Sequence, residues 1–73
     1  MATIEVTSEV IGSVWKIEKS EGDRVAEEEL IMILESMKME IVVAAPVAGT
    51  LTEIKVAQED SVEEDQVLCV IEN

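Results

Sequence analysis

Apolar residues along this chain of 73 fall in short bursts, most of them alternating with polar neighbours, and the bursts are separated by polar links. Thr3 to Thr7 alternates with Ile4 and Val6 apolar, the period of a strand with one buried face. Ser8 to Ile11 is a connection, and alternation resumes from Gly12 to Lys19, with Val14 and Ile17 apolar and Trp15 the only aromatic residue. Ser20-Glu21-Gly22-Asp23 is turn chemistry, because Gly accepts φ > 0 and Asp tolerates or caps it. A brief strand at Val25 follows, then the acidic link Glu27-Glu28-Glu29, then Leu30 to Leu34, a continuous apolar run suited to a strand buried on both faces. Ile41 to Ala45, Gly49 to Val56, Val62 and Val67 to Ile71 complete a set of eight short strands, with Pro46 in one connection and Gln58-Glu59-Asp60 turning in another. Between Leu34 and Ile41 lies Glu35-Ser36-Met37-Lys38-Met39-Glu40, a link of hairpin length that places Lys38 at or near a tight turn with its amine in water.

Sliding the sequence along itself reveals a gapless repeat at an offset of 37, set by Gly12 on Gly49. At that offset Ile4 meets Ile41, Val6 meets Val43, Val10 meets Val47, Asp23 meets Asp60, Val25 meets Val62 and Glu35 meets Glu72. Two copies of one small unit cannot each bury a face alone, so they must pack on each other. Val25 to Leu34 contains good helix formers, but its repeat partner, Val62 to Ile71, is richer in strand formers, which favours strand for both. Lys38 aligns with Met1 and so sits at the junction of the copies; a pseudo-twofold between them puts it at the tip farthest from the termini. Gly49 is expected to need either φ > 0 or close packing.

Composition narrows the chemistry. The apolar fraction of 48% argues for a folded globule despite the charge. One cysteine allows no intrachain disulfide, and with no histidine the usual zinc sets are missing, so apolar packing must hold a single domain over residues 1–73. A net charge of −12 repels phosphates and anionic lipid, which excludes nucleic-acid and membrane-surface roles and discourages self-association; a monomer is expected. No apolar run is long enough for a membrane span, and a cytoplasmic location is the default expectation. Without His or Tyr, few nucleophile–base pairs remain, and the chain is poorly equipped to be an enzyme by itself. Trp15 and Cys69 are assigned to packing. What needs explaining is an exposed Lys flanked by two methionines, a residue type usually found filling cores.

Glu35-Ser36-Met37-Lys38-Met39 resembles the attachment motif of the biotinyl and lipoyl carrier domains, in which the central Lys is biotinylated. Gly12 with its following strand, Glu21-Gly22-Asp23 with Val25, Ala45-Pro46 and Gly49-Thr50 also sit where that family has its marks, so the likeness covers nearly the whole chain. The resemblance implies an all-β fold, a flattened eight-stranded barrel-sandwich hybrid of two quasi-twofold halves with the attachment Lys on the hairpin between them. It implies covalent biotin on Lys38, attached by a biotin protein ligase. The tethered group would carry carboxyl groups between a biotin carboxylase and a carboxyltransferase. Met37 and Met39 would flank the modified side chain, offering adaptable contact or else packing against the hairpin, and Glu35 would help the ligase read the site. A lipoyl carrier, with lipoate on Lys38, and a cofactor-free interaction module are the alternatives. The sequence departs from the family at Glu28, at Asp65 and across Gln58-Glu59-Asp60, where members often place Gly; a Glu held at φ > 0 there would be strained.

Overall fold

The computed structural model describes residues 2–73, and within them every regular element is a strand. In chain order these are β1 (Thr3–Thr7), β2 (Gly12–Ile17), β3 (Arg24–Val25), β4 (Leu30–Ser36), β5 (Met39–Ala44), β6 (Gly49–Ile54), β7 (Ser61–Val62) and β8 (Val67–Glu72). They form two antiparallel four-stranded sheets. One, ordered β1-β8-β6-β3, we call the terminal sheet; the other, ordered β5-β4-β2-β7, is the hairpin sheet. The sheets do not close into a barrel, and the architecture agrees with the flattened barrel-sandwich expected from the sequence.

The 37-residue repeat is the fold's symmetry. Adding 37 to the residue numbers carries β1, β2, β3 and β4 onto β5, β6, β7 and β8, and carries the terminal sheet's order onto that of the hairpin sheet. Each sheet takes two strands from each copy, so neither copy can fold alone. Backbone bonds also cross between the copies in matched pairs: the Gly22 N–H donates to Leu51 O and the Glu59 N–H to Val14 O, both at 2.7 Å. The core lies between the sheets, where Val14, Ile31, Met32, Leu34, Leu51, Leu68, Cys69 and Ile71 are all buried. Leu30 to Leu34 is buried or half-buried throughout, as its continuous apolar run requires.

The turns repeat in pairs as well. Asp23 Oδ2 accepts from the Ser20 N–H, and Asp60 Oδ2 accepts from the Ala57 N–H, each at 2.9 Å. Glu29 Oε1 accepts from the Ala26 N–H at 2.8 Å, and Gln66 Oε1 from the Glu63 N–H at 2.9 Å. Gly22 has φ +95°, and its partner Glu59 keeps the left-handed region at φ 76° without being Gly. Glu28 at φ 69° and Asp65 at φ 68° do the same. The side chains that replace the family's glycines therefore occupy the same turns under strain, about 1–2 kcal/mol for each residue with a Cβ.

Trp15 corrects the sequence reading. The sequence places it in packing, yet it is 46% exposed. With Val14 inward, strand alternation already turns Trp15 outward; the register of β2 against β4 slips between Val14 and Lys16, and this β-bulge with Trp15 inserted lets Ile17 return to the core. The repeat partner strand, β6, has the same slip between Leu51 and Glu53, with Thr52 inserted.

Candidate functional site

Lys38 is positioned by the β4–β5 hairpin. Ser36 pairs with Met39 as the last rung of the ladder, which leaves Met37 and Lys38 as a two-residue loop. Both lie in the left-handed region, at φ 52° and φ 66°, the arrangement of a type I′ turn. Such turns match the twist of the flanking strands, but they favour Asn and Gly, and Met and Lys each bear a steric cost there. Backbone strain at non-glycine residues persists where the surroundings over-determine it, and it concentrates at functional sites.

Two contacts fix the base of this hairpin. The Ser36 hydroxyl donates to Ile11 O at 2.7 Å. Gly12 runs so close to β4 that a Cβ on it would overlap the Glu35 carbonyl and approach Ser36 Cβ at 3.2 Å. The hairpin is thus pinned to the start of β2, and its tip projects beyond both contacts.

The tip is open. Lys38 is exposed, Met37 is 92% exposed and Met39 is 60% exposed, so packing of Met37 against the hairpin does not occur. Among the described residues the ion pairs are Lys16 Nζ to Glu18 at 3.5 Å, Lys19 Nζ to Glu29 at 2.5 Å and Lys55 Nζ to Glu53 at 3.3 Å, and Lys38 is in none of them. Glu35 and Glu40 face each other across the ladder, both exposed. Like charges directly opposite are mildly destabilising, so this acidic pair does nothing for the fold. A groove of about 290 Å³ between the edge strands β1 and β5 lies along the strands and does not include the tip.

The four residues singled out from the sequence, Glu35, Met37, Lys38 and Met39, therefore meet on one exposed hairpin. Ile11 was missed, although its carbonyl anchors Ser36 and its side chain is exposed. The signal was present in the repeat, where Ile11 aligns with the small Ala48. Cys69 is fully buried, and desolvation pushes its thiol up to about 11, which leaves it inert at neutral pH. Among the described residues no cluster of Cys, Asp or Glu is arranged to hold a metal ion. What the site offers chemically is one primary amine, in no ion pair among the described residues, on an exposed hairpin tip.

A family described as biotin-requiring enzyme matches residues 2–71. The chain belongs to that family. It is a biotin-attachment domain. It is 46% identical over 44 residues to a biotinylated protein TB7.3 homolog from Mycobacterium leprae, a match covering 60% of this chain and 62% of that relative's length. The urea carboxylase of Kluyveromyces lactis superposes on 99% of this chain with a TM-score of 0.92 at 32% identity, through 6% of its own length. A single-chain, multi-domain long-chain acyl-CoA carboxylase superposes on 93% with a TM-score of 0.88 at 26% identity, through 7% of its length. The chain thus resembles one small domain of much larger carboxylases.

Proposed function

We propose that this chain is a biotin carrier, modified on Lys38 by a biotin protein ligase and serving a biotin carboxylase and a carboxyltransferase in turn. The observation that carries the reading is the left-handed Met37-Lys38 turn, which holds at an exposed tip the one lysine that is in no ion pair among the described residues. The names of the relatives, biotinylated protein and carboxylase, favour biotin over lipoate.

The residues fit the group. Lys38 Nζ is in no ion pair among the described residues and can attack the carbonyl of biotin activated as an acyl-adenylate. The C–N bond of the amide forms, the C–O bond to the phosphate breaks, AMP leaves, and the ligase takes up the proton the nitrogen gives up. Met37 and Met39 offer adaptable apolar contact on either side of the attachment point. Glu35 and Glu40 give the hairpin a negative base that a ligase can read. Bound biotin supplies the nitrogen that takes up and releases a carboxyl group. The chain's own contribution is a rigid hairpin ending in a long unbranched side chain, which confines the attached group near two active sites and raises its effective concentration there. The reading also includes a monomer, kept apart from its copies by charge, in the cytoplasm where ATP for the ligase is available.

The experiment is biotinylation of the purified chain by a biotin ligase with ATP and biotin, followed by intact mass and peptide mapping. The reading predicts one added biotin on Lys38 and none on Lys16, Lys19 or Lys55. All exposed amines share similar reactivity, so selection must come from the turn. Shifting the Met-Lys-Met motif by one residue should abolish labelling, because a one-residue slip redirects the side chain. A chain purified from its host carrying lipoate, or nothing, would reject the reading in favour of the alternatives.

A further inference from the structure

On one side of the molecule the two sheets face each other edge to edge without pairing. β1 is an outer strand of the terminal sheet and β5 an outer strand of the hairpin sheet, and each is paired on one side alone. The groove of about 290 Å³ lies between them. That volume is close to the lower end of small-molecule clefts, about 300 Å³. Its lining follows the repeat only in part. Every lining residue on β1 and the link after it has its repeat partner on the opposite wall, as Val6 has Val43 and Glu9 has Pro46. Leu34 and Ile41 line it as well, and their repeat partners, Ile71 and Ile4, do not. The groove is therefore displaced from the pseudo-twofold toward the Lys38 hairpin. Leu34 and Ile41 face each other two rungs below the closing pair, Ser36 and Met39, so the near end of the groove is about 7 Å along the strand from Met39.

The two walls differ in chemistry. The β5 wall, from Ile41 to Ala44 and on to Pro46, is apolar throughout, and Val42 on it is 61% exposed. The repeat partner of Val42 is Glu5, so the fold itself does not call for an apolar side chain there. The β1 wall carries Glu5, Thr7 and Glu9, all exposed. Outer strands also offer backbone N–H and C=O groups that no neighbouring strand takes up. A ligand suited to this groove is small, apolar on one side, and bears N–H donors on the other.

We propose that the groove between β1 and β5 is a resting site for the biotinyl group attached to Lys38. The apolar side of its bicyclic ring lies on the β5 wall, and its ureido N–H groups donate to the carboxylates of the β1 wall. A lysine side chain and the valeryl arm of biotin together are longer than the strand from Met39 to Ile41, so the tethered ring reaches the groove. The tether selects this occupant. A short flexible linker holds its group at an effective concentration in the millimolar range, which a free ligand or a partner's segment seldom matches. A second copy of net charge −12 is repelled, and a lipoyl ring has no N–H to meet the acidic wall. The proposal rests on the carrier reading above and adds that the group has a place on its own carrier between visits to the two enzymes.

The test compares NMR spectra of the full chain with Lys38 bare and with biotin on Lys38, attached by the ligase or, if the ligase leaves Lys38 bare, introduced by chemical synthesis of the full chain. The deciding amides are Glu5 and Thr7, which lie across the groove on the other sheet. The expected result is a shift of both on biotinylation, with NOEs from the ring to the Val42 methyls and no shift at Val25 or Val62 on the far edges. Dilution should leave these shifts unchanged. Val42→Glu, which puts the repeat partner's residue on the apolar wall, should lose the shifts at Glu5 and Thr7 and keep those at the hairpin tip. Shifts confined to the tip in the wild type overturn the proposal, even if Val42→Glu fails to fold. So do equal shifts at Val25 and Val62, shifts that fade on dilution and so come from another copy's biotin, or a folded Val42→Glu chain that keeps the groove shifts. A Lys38 left bare by the ligase counts against the carrier reading alone, since the synthetic chain still decides the resting site.

Discussion

The end of β4 and the end of β8 are the same place in the two repeats, and they are finished differently. Gly12 packs on the Glu35 carbonyl at the first, and Gly49 packs on the Glu72 carbonyl at the second. Beyond Glu72 the neighbouring segments are held by hydrogen bonds: the Asn73 N–H donates to Ala2 O at 3.1 Å, and the Ala2 N–H to Asn73 Oδ1 at 3.2 Å. Beyond Glu35 the chain instead makes a covalent turn through Met37 and Lys38, both at positive φ. A two-residue hairpin link of this type needs φ > 0 at both positions, and Met37 and Lys38 adopt it without being the Asn or Gly such a turn prefers, which is why the strain there points to function.

The sharpest break of the comparison is at the two glycines. Neither has positive φ; what requires Gly is space, since a Cβ on Gly49 would lie 2.5 Å from Glu72 O and 2.8 Å from Ile71 Cγ2. Gly12→Val and Gly49→Val should each destabilise by about 2–4 kcal/mol, measured by denaturant unfolding. They should differ in function: Gly12→Val displaces the base of the Lys38 hairpin and should slow biotinylation of the folded fraction, whereas Gly49→Val should not. Equal labelling of both folded variants would contradict the pinning role given to Gly12.

A smaller effect of opposite sign is expected at the tip. Replacing Met37-Lys38 with Asn-Gly supplies the residues a type I′ turn prefers and should stabilise the chain by about 1–2 kcal/mol while removing the attachment point. A loss of stability would show that the methionine and lysine side chains support the fold. Glu28→Gly, Glu59→Gly and Asp65→Gly test the other strained turns and should each stabilise by about 0.5–1 kcal/mol, less than the tip because one residue changes at a time. Thermal melting of the three single variants checks this, and a fall in Tm would mean the side chains there contribute more than their strain costs.

The smallest effect concerns the Lys19–Glu29 pair, which the second repeat lacks because its counterparts are Val56 and Gln66. The hydrogen bond from Lys19, helped by the Ala26 N–H, holds the Glu29 carboxyl below its ordinary range, and the same bond raises the Lys19 amine. The Glu29 contribution is present above the ordinary carboxylate range and is lost as pH falls through the lowered folded value. The Lys19 contribution is present below the ordinary lysine range and is lost as pH rises through the raised one. Both groups are solvent-screened, so Lys19→Gln should only slightly flatten the acid side of a stability-versus-pH curve. A large flattening would show a stronger pair than its exposure allows.

Much of this architecture was legible in the residues. The offset of 37 fixed the strand correspondences, and Met37-Lys38 between two apolar runs located the hairpin to within its closing pair, Ser36 and Met39. The sequence reading misses the exposure of Trp15, although its cause is visible next to it: Val14 faces inward, so alternation turns Trp15 out, and Val14 and Ile17, three apart, can both face inward only with an inserted residue between them. Leu51 and Ile54 repeat that spacing around Thr52. The reason for Gly49 was also out of reach, because Ile71 and Glu72 come against it only once β6 has paired with β8. Nor could the sequence say that Glu28, Glu59 and Asp65 keep the left-handed turns instead of abandoning them. That outcome depends on their backbone bonds, such as Glu28 N–H to Ala45 O and Asp65 N–H to Ser8 O, both at 2.7 Å.

The central claim is that Lys38 is singled out by the shape of its turn and not by the reactivity of its amine. The direct measurement is peptide mapping of wild type and Lys38→Arg after incubation with biotin ligase, biotin and ATP, with thermal melting run on both. The account predicts one biotin on Lys38 of the wild type, none anywhere on Lys38→Arg, and closely matching melts. Biotin on Lys16, Lys19 or Lys55, or a labelled Lys38→Arg, would contradict it.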